Sequence, residues 1–189
     1  WEGTPLVIHL ADFTAAAPPS CPADTSNLVI CNPPYVRHHH LPRADKGRLQ
    51  SGVRQLIGAQ ISGLAGLYCY FLILTHPWMS EGAVASWLVP SEFMDVNYGE
   101  FVKRYLLDRV TLLRIHRFDP NEVQFGDALV SSAVVCFRNQ KPPVDHAVEF
   151  TFGGTLAEPT VSGTVPVSVL RRAAKWTGFP LSGQREAIH

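Results

Sequence analysis

The sequence predicts an α/β fold, with a sheet wound mainly in parallel and ending in an antiparallel strand pair. Short, β-branched apolar runs alternate with longer helix-like segments, polar turns follow the first two runs, and the last two runs are close enough to pair. Residues 6–10 (Leu-Val-Ile-His-Leu) form the first such run, ending at Ala11-Asp12-Phe13 before a Pro/Ala-rich loop. Residues 28–31 (Leu-Val-Ile-Cys) form the second, too short and too β-branched for a helix. A long apolar stretch, 61–78, reads as a buried helix, and 83–89 as a third strand between Gly82 and Pro90. Residues 93–107 carry apolar positions at helical spacing, with Ser91 and Glu92 as capping candidates. Residues 110–115 and 129–137 are the closing pair. In such a sheet ligands sit beyond the C-terminal ends of the strands, where Asp12 and Asn32 fall.

Composition narrows the classes. A chain of 189 residues with 46% hydrophobic content builds one ordinary core, and its formal charge of zero means that a nucleic acid would have to be met by a local basic patch. The four cysteines show no CxxC spacing, and two lie in strand-like runs, the usage of reduced thiols in a cytosolic, cytoplasmic protein with no zinc site. No uninterrupted apolar run reaches membrane-spanning length and no signal peptide is evident. The chain opens on Trp1 rather than Met, as a piece of a longer protein would.

The segment Asn32-Pro33-Pro34-Tyr35 carries the chemistry. Two prolines fix the backbone and donate no N–H, so the Pro33 carbonyl and the Asn32 side-chain oxygen are available as acceptors. Tyr35 adds a flat face on which a ring can stack. A carboxamide, a bare carbonyl and an aromatic ring together suit a planar base held by its exocyclic amino group. Taken alone, such a segment could also be no more than a turn after a strand. Asp12 could equally cap the segment after it, and Phe13 and Phe71 could be core residues. His38, His39 and His40 are adjacent on a loop without a carboxylate, so a solvated or DNA-facing loop fits better than a metal site. Arg37, Arg43, Lys46, Arg48 and Arg54 face one acid, Asp45, and form either a solvated surface or a rim for phosphates.

The motif order resembles the gamma-class N6-adenine DNA methyltransferases, within which it is most similar to restriction-modification and phage-defence methylases whose motif continues as NPPYVR. The residues that carry the resemblance are Ala11-Asp12-Phe13, Asn32-Pro33-Pro34-Tyr35-Val36-Arg37, Leu67-Tyr68, Val89-Pro90, and Phe125 ahead of Val130-Ser131-Ser132-Ala133-Val134-Val135. It implies a partial Rossmann-like class I S-adenosylmethionine-dependent methyltransferase fold. It also implies that Asp12 accepts from the adenine amino group of S-adenosylmethionine, that Phe13 packs on that ring, that Asn32 touches the cofactor as well as the substrate, and that Phe71 lines the adenine pocket. Asn32 and Pro33 would hold the N6 amino group of a flipped adenine between Tyr35 and Phe125, with Pro34 fixing the turn and double-stranded DNA as partner.

Members of the family carry a glycine-rich loop and a ribose-binding acid upstream of the Asp-Phe strand, and neither is found here. The expectation is therefore that residues 1–141 are the C-terminal part of a catalytic domain, that 142–189 are an extension or a bridge toward a target-recognition region, and that the N-terminal half of the same polypeptide completes the site. Alone, the chain should bind cofactor weakly and turn over little. Two other functions use similar acceptors: protein-glutamine or RNA N-methylation, and DNA binding by a catalytically incomplete module. The basic connection after Tyr35 and the Phe125 loop favour DNA.

Overall fold

The computed structural model describes residues 3, 5–58, 61–121 and 131–180. Six strands form one mixed sheet: β1 (Ser26–Cys31), β2 (Met79–Pro90), β3 (Thr111–Arg117), β4 (Ser132–Arg138), β5 (Ala147–Gly154) and β6 (Pro159–Pro166). Their order across the sheet is β1-β2-β4-β3-β5-β6. β1 runs parallel to β2 and β3 parallel to β5, while β4 is antiparallel to both β2 and β3, and β5 to β6. The α/β class and the antiparallel partners at positions 111–117 and 132–138 are as expected, and the antiparallel share is larger than a sheet wound mainly in parallel would have.

This topology brings one set of strand ends together. The C-terminal ends of β1, β2, β3 and β5 and the N-terminal end of β4 share an edge of the sheet, so Asn32, Ser91, Phe118, Phe152 and Ser131 lie on one side of the molecule. β2, the longest of these strands, lies between β1 and β4, with Ala83, Ala85, Trp87 and Val89 buried at every second position.

Three helices and a short turn of helix pack against the sheet: α1 (Arg43–Ile57), α2 (Leu67–Leu74), α3 (Glu100–Asp108) and α4 (Val167–Leu170). The basic connection after Tyr35, to which the sequence reading assigns no element, is thus largely helical. Leu49 and Val53 are buried and Ile57 packs against the core, a spacing of four that puts them on one face toward α2. Gly58 ends the helix at φ 68°, its N–H donating to the Arg54 carbonyl.

The helix expected over 61–78 begins only at Leu67, because residues 61–66 form turns that deliver the chain to the strand-end edge. There the Leu67 N–H donates to the Val36 carbonyl at 2.9 Å, and a Cβ on Gly66 would meet the Tyr68 ring at 3.1 Å. A larger residue at position 66 would need the Tyr68 ring to give way by a few tenths of an ångström. Similarly, two 3-10 turns, Ser91–Met94 and Asn97–Gly99, replace the first half of the helix expected over 93–107, and neither the Ser91 nor the Glu92 side chain caps a helix.

Residues 6–10, expected as a strand, pair with no strand among the described residues, and Leu6, Val7, Ile8 and Leu10 are exposed. An extended apolar run becomes a strand only where a neighbour supplies the ladder. Among the described residues the outer edge of β1 likewise has no strand beside it, and Ile30 is 78% exposed. No helix among the described residues is long and apolar enough to cross a membrane.

Candidate active site

β1 delivers Asn32 to the strand-end edge. Asn32 is exposed and Pro33 buried, and neither the Asn32 carboxamide nor the Pro33 carbonyl makes a hydrogen bond among the described residues. Tyr35 is pinned through its hydroxyl, which donates to the Leu88 carbonyl of β2 at 3.1 Å and accepts from Ser132 of β4. The ring is thereby fixed across two strands while 38% of the residue stays exposed, and Tyr68 meets it edge-on with centroids 6.4 Å apart. Burial raises the phenol above its ordinary pKa against the opposing pull of the Ser132 hydrogen bond, with Cys31 adding a smaller upward push.

Cys31, beside the turn, is a half-buried thiol pushed up to about 11 by burial. A raised pKa keeps it protonated at neutral pH, which removes it as a nucleophile. At pH 8 it is expected to react with iodoacetamide far more slowly than exposed Cys21, and equal rates measured by peptide mass spectrometry would contradict that reading.

Asp12 caps a 3-10 turn, Phe13–Ala15, its Oδ1 accepting from the Thr14 N–H at 2.9 Å and the Thr14 hydroxyl at 2.8 Å. Its Oδ2 lies 3.7 Å from Nη2 of Arg48, and that guanidinium also donates to the Thr14 carbonyl and hydroxyl and pairs with Asp45 at 3.5 Å. Arg48 is therefore engaged within the chain, tying α1 to the loop that bears Asp12. Phe13 packs between Phe71 and Trp78, with ring centroids 5.3 and 5.4 Å away. Phe71 is half-buried and packs against the core. An exposed carboxylate acceptor beside a half-open aromatic cluster suits the amino group and the flat face of a purine, so these residues fit the adenine end of S-adenosylmethionine.

Arg37 and Arg43 are exposed and Lys46 half-buried, none of them ion-paired among the described residues. Phe125 lies outside the described residues. His38, His39 and His40 form a 3-10 turn in which the His38 and His39 rings meet edge-on and the His39 and His40 rings are tilted, and desolvation followed by the neighbouring cations lowers the pKa of His39. Among the described residues no group of three or more His, Cys, Asp or Glu could hold a metal ion.

An open cavity of about 700 Å³ adjoins the turn at the same strand-end edge. Arg37 lies at its rim, and Ser91, Glu92, Asp95, Arg117 and Phe152 contribute to its wall. Neither Arg117 nor Phe152 was singled out from the sequence, and Trp78 was noted only as the end of a helix. They are far from the motif in sequence, and only the strand order unites them with it.

The family profile of the Eco57I restriction-modification methylase matches residues 24–124, just over half of the chain and including the Asn32 turn. The chain belongs to the Eco57I restriction-modification methylase family. It is similar to the type II methyltransferase M.XamI of Xanthomonas campestris pv. amaranthicola, with 30% identity over 171 residues, 90% of this chain and 32% of that protein. It is also 31% identical over 111 residues to M.AccI of Acinetobacter calcoaceticus, covering 59% of this chain and 20% of that one. This member of the Eco57I family thus spans a third or less of the length of these two relatives. Its fold is that of the type IIG restriction endonuclease BpuSI over 92% of this chain and 23% of that one, with a TM-score of 0.67 at 17% identity. A putative class I S-adenosylmethionine-dependent methyltransferase from Listeria monocytogenes shares the fold over 73% of this chain and 40% of that one, with a TM-score of 0.53 at 15% identity.

Proposed function

We propose that the chain supplies the catalytic pocket of a DNA methyltransferase that transfers a methyl group from S-adenosylmethionine to N6 of a flipped adenine. The supporting observation is the pair of unused acceptors, the carboxamide of exposed Asn32 and the carbonyl of buried Pro33, beside a Tyr35 ring whose hydroxyl is tied to two strands. Membership of a restriction-modification methylase family, and similarity to two proteins named type II methyltransferases, support DNA as the substrate.

In an aromatic amine the nitrogen lone pair is delocalised into the ring, which makes it a weak nucleophile. Two acceptors aimed at its two hydrogens favour a more pyramidal nitrogen and stabilise the positive charge that develops as it attacks. Asn32 and Pro33 have that role here, without a strong base and without a covalent enzyme intermediate. Tyr35 offsets the stacking that the adenine loses when it leaves the duplex, and Phe125 would take the other face. The cofactor supplies the electrophilic methyl group of its sulfonium. Asp12, Phe13, Asn32 and Phe71 would hold it, with the carboxylate of Asp12 taking an amino hydrogen and Phe13 the face of the adenine. Arg37, Arg43 and Lys46 would meet backbone phosphates, while Arg48 would act through its hold on the Asp12 turn.

The glycine-rich loop of such a site is assigned to another part of the polypeptide, whose strand would lie along the open edge of β1 and cover Leu28 and Ile30. The test uses the full-length protein with labelled cofactor on DNA, RNA and a release factor, and transfer to DNA alone is expected. Base–aromatic stacking is worth about 1–3 kcal/mol per base. Tyr35→Ala should therefore weaken capture of a flipped base by about ten-fold or more, read by fluorescence of a 2-aminopurine at the target position, whereas Tyr35→Phe should stay within a few-fold of the wild type. Equal losses in the two variants would place the role of Tyr35 in its hydroxyl and remove the stacking step.

A further inference from the structure

The cavity beside the Asn32 turn has an uneven distribution of unused hydrogen-bonding groups. Asp95 accepts from the Thr177 N–H at 3.2 Å and from the Thr177 hydroxyl, and Asp119 takes both the N–H and the side-chain amide of Asn121 at 2.9 Å. The guanidiniums of Arg37 and Arg117 make no hydrogen bond and no ion pair among the described residues. Two of the wall's three carboxylates thus have donors close by, while its two guanidiniums lack acceptors among the described residues. An occupant that brings acceptors would satisfy them.

Arg117 is also held in place. Its Cζ lies 4.9 Å from the centroid of Phe152, which presents the planar fork on a fixed support, and its Nε is buried without a partner. Stacking on an aromatic ring restricts the guanidinium to a plane and lowers the entropy lost when it makes two parallel bonds. Burial works against its charged form while nearby Asp95 favours it.

The sign of the wall discriminates between acceptors. Glu92, Asp95 and Asp119 outnumber the two arginines, which disfavours an anion such as a backbone phosphate and leaves a neutral, acceptor-bearing ring. Among the bases, guanine offers two acceptors side by side, O6 and N7, and an arginine fork matches them in a bidentate pair, whereas adenine sets a donor beside N7.

We propose that the cavity receives a guanine close to the adenine held at the Asn32 turn, with the Arg117 fork on its O6 and N7. This would make Arg117 a determinant of which sequence the site acts on. The inference rests on the reading of the chain as part of a DNA methyltransferase.

The experiment measures binding of the full-length protein to duplexes carrying its modification site, in which each guanine is replaced in turn by 7-deazaguanine, which lacks the N7 acceptor but still pairs. Wild-type affinity is expected to fall by about 5- to 150-fold at one position, the range for a bidentate contact, with the salt dependence unchanged. Arg117→Gln keeps the stem on Phe152. It should bind the natural site less tightly by a similar factor and respond no further to 7-deazaguanine at that position. The wild-type arm needs no variant, so a folding defect cannot mimic the result. Insensitivity of the wild type at every guanine would overturn the inference, as would an Arg117→Gln variant that keeps the full 7-deazaguanine effect. So would one that weakens all DNA equally and lowers the salt slope by about one, the behaviour of a phosphate contact. In each of these cases DNA binding itself survives, and the methyltransferase reading with it. Absence of any DNA binding by the wild type would sink both.

Discussion

Replacing Asn32 by Ala in the full-length protein is expected to cut methyl transfer by on the order of a hundred- to a thousand-fold, the range seen when one preorganised polar group is withdrawn from a developing charge. Loss of the carboxamide leaves the Pro33 carbonyl as a lone acceptor, so the target nitrogen keeps more of its conjugation and attacks poorly. Because Asn32 is exposed and makes no hydrogen bond among the described residues, its removal leaves no buried group without a partner, and folding should hardly change. Single-turnover rates with labelled cofactor, set beside DNA affinity, separate the two effects. A rate within ten-fold of the wild type would show that the amide is not one of the acceptors.

Gly99→Ala is expected to destabilise the fold by about 3 kcal/mol, toward the upper end of the penalty for overpacking. A Cβ there would stand 2.0 Å from the Phe93 carbonyl oxygen and 2.7 Å from its carbonyl carbon and Cα. These are backbone atoms of a fully buried residue and cannot swing aside as a side-chain tip could. Relief would require the turn Ser91–Met94 to move away from Asn97–Gly99, and with it Ser91, Glu92 and Asp95 in the cavity wall. At about 2–4 °C per kcal/mol for a domain of this size, the melting temperature should fall by roughly 6–12 °C. A calorimetric shift under 2 °C would mean that the two turns separate freely.

The elements that could be read from the sequence are those whose signal is local. Alternation over 83–89 identifies β2, and prolines after a β-branched run place the Asn32 turn at a strand end. α1 was missed because Gly47, Gly52 and a concentration of basic residues resemble a loop, although Leu49, Val53 and Ile57 keep a helical spacing. β6 begins and ends with Pro and contains Gly163, a composition that argues against a central strand yet is tolerated at the edge where it lies. Residues 6–10 have strand composition without a pairing partner among the described residues, and composition does not encode the partner. At the site, the turn was legible and its surroundings were not. The tether from Arg48 to Asp12 and the stack of Arg117 on Phe152 join residues 36 and 35 positions apart, and both depend on how α1 and β5 pack.

The identity of the methylated atom bears most directly on the central claim. DNA treated with the full-length protein and S-adenosylmethionine, then digested to nucleosides and resolved by mass spectrometry, should contain N6-methyladenine as the new product. Methyl groups found only on cytosine or only on a protein amide, in a reaction that still depends on Asn32, would contradict the assignment of this pocket to adenine.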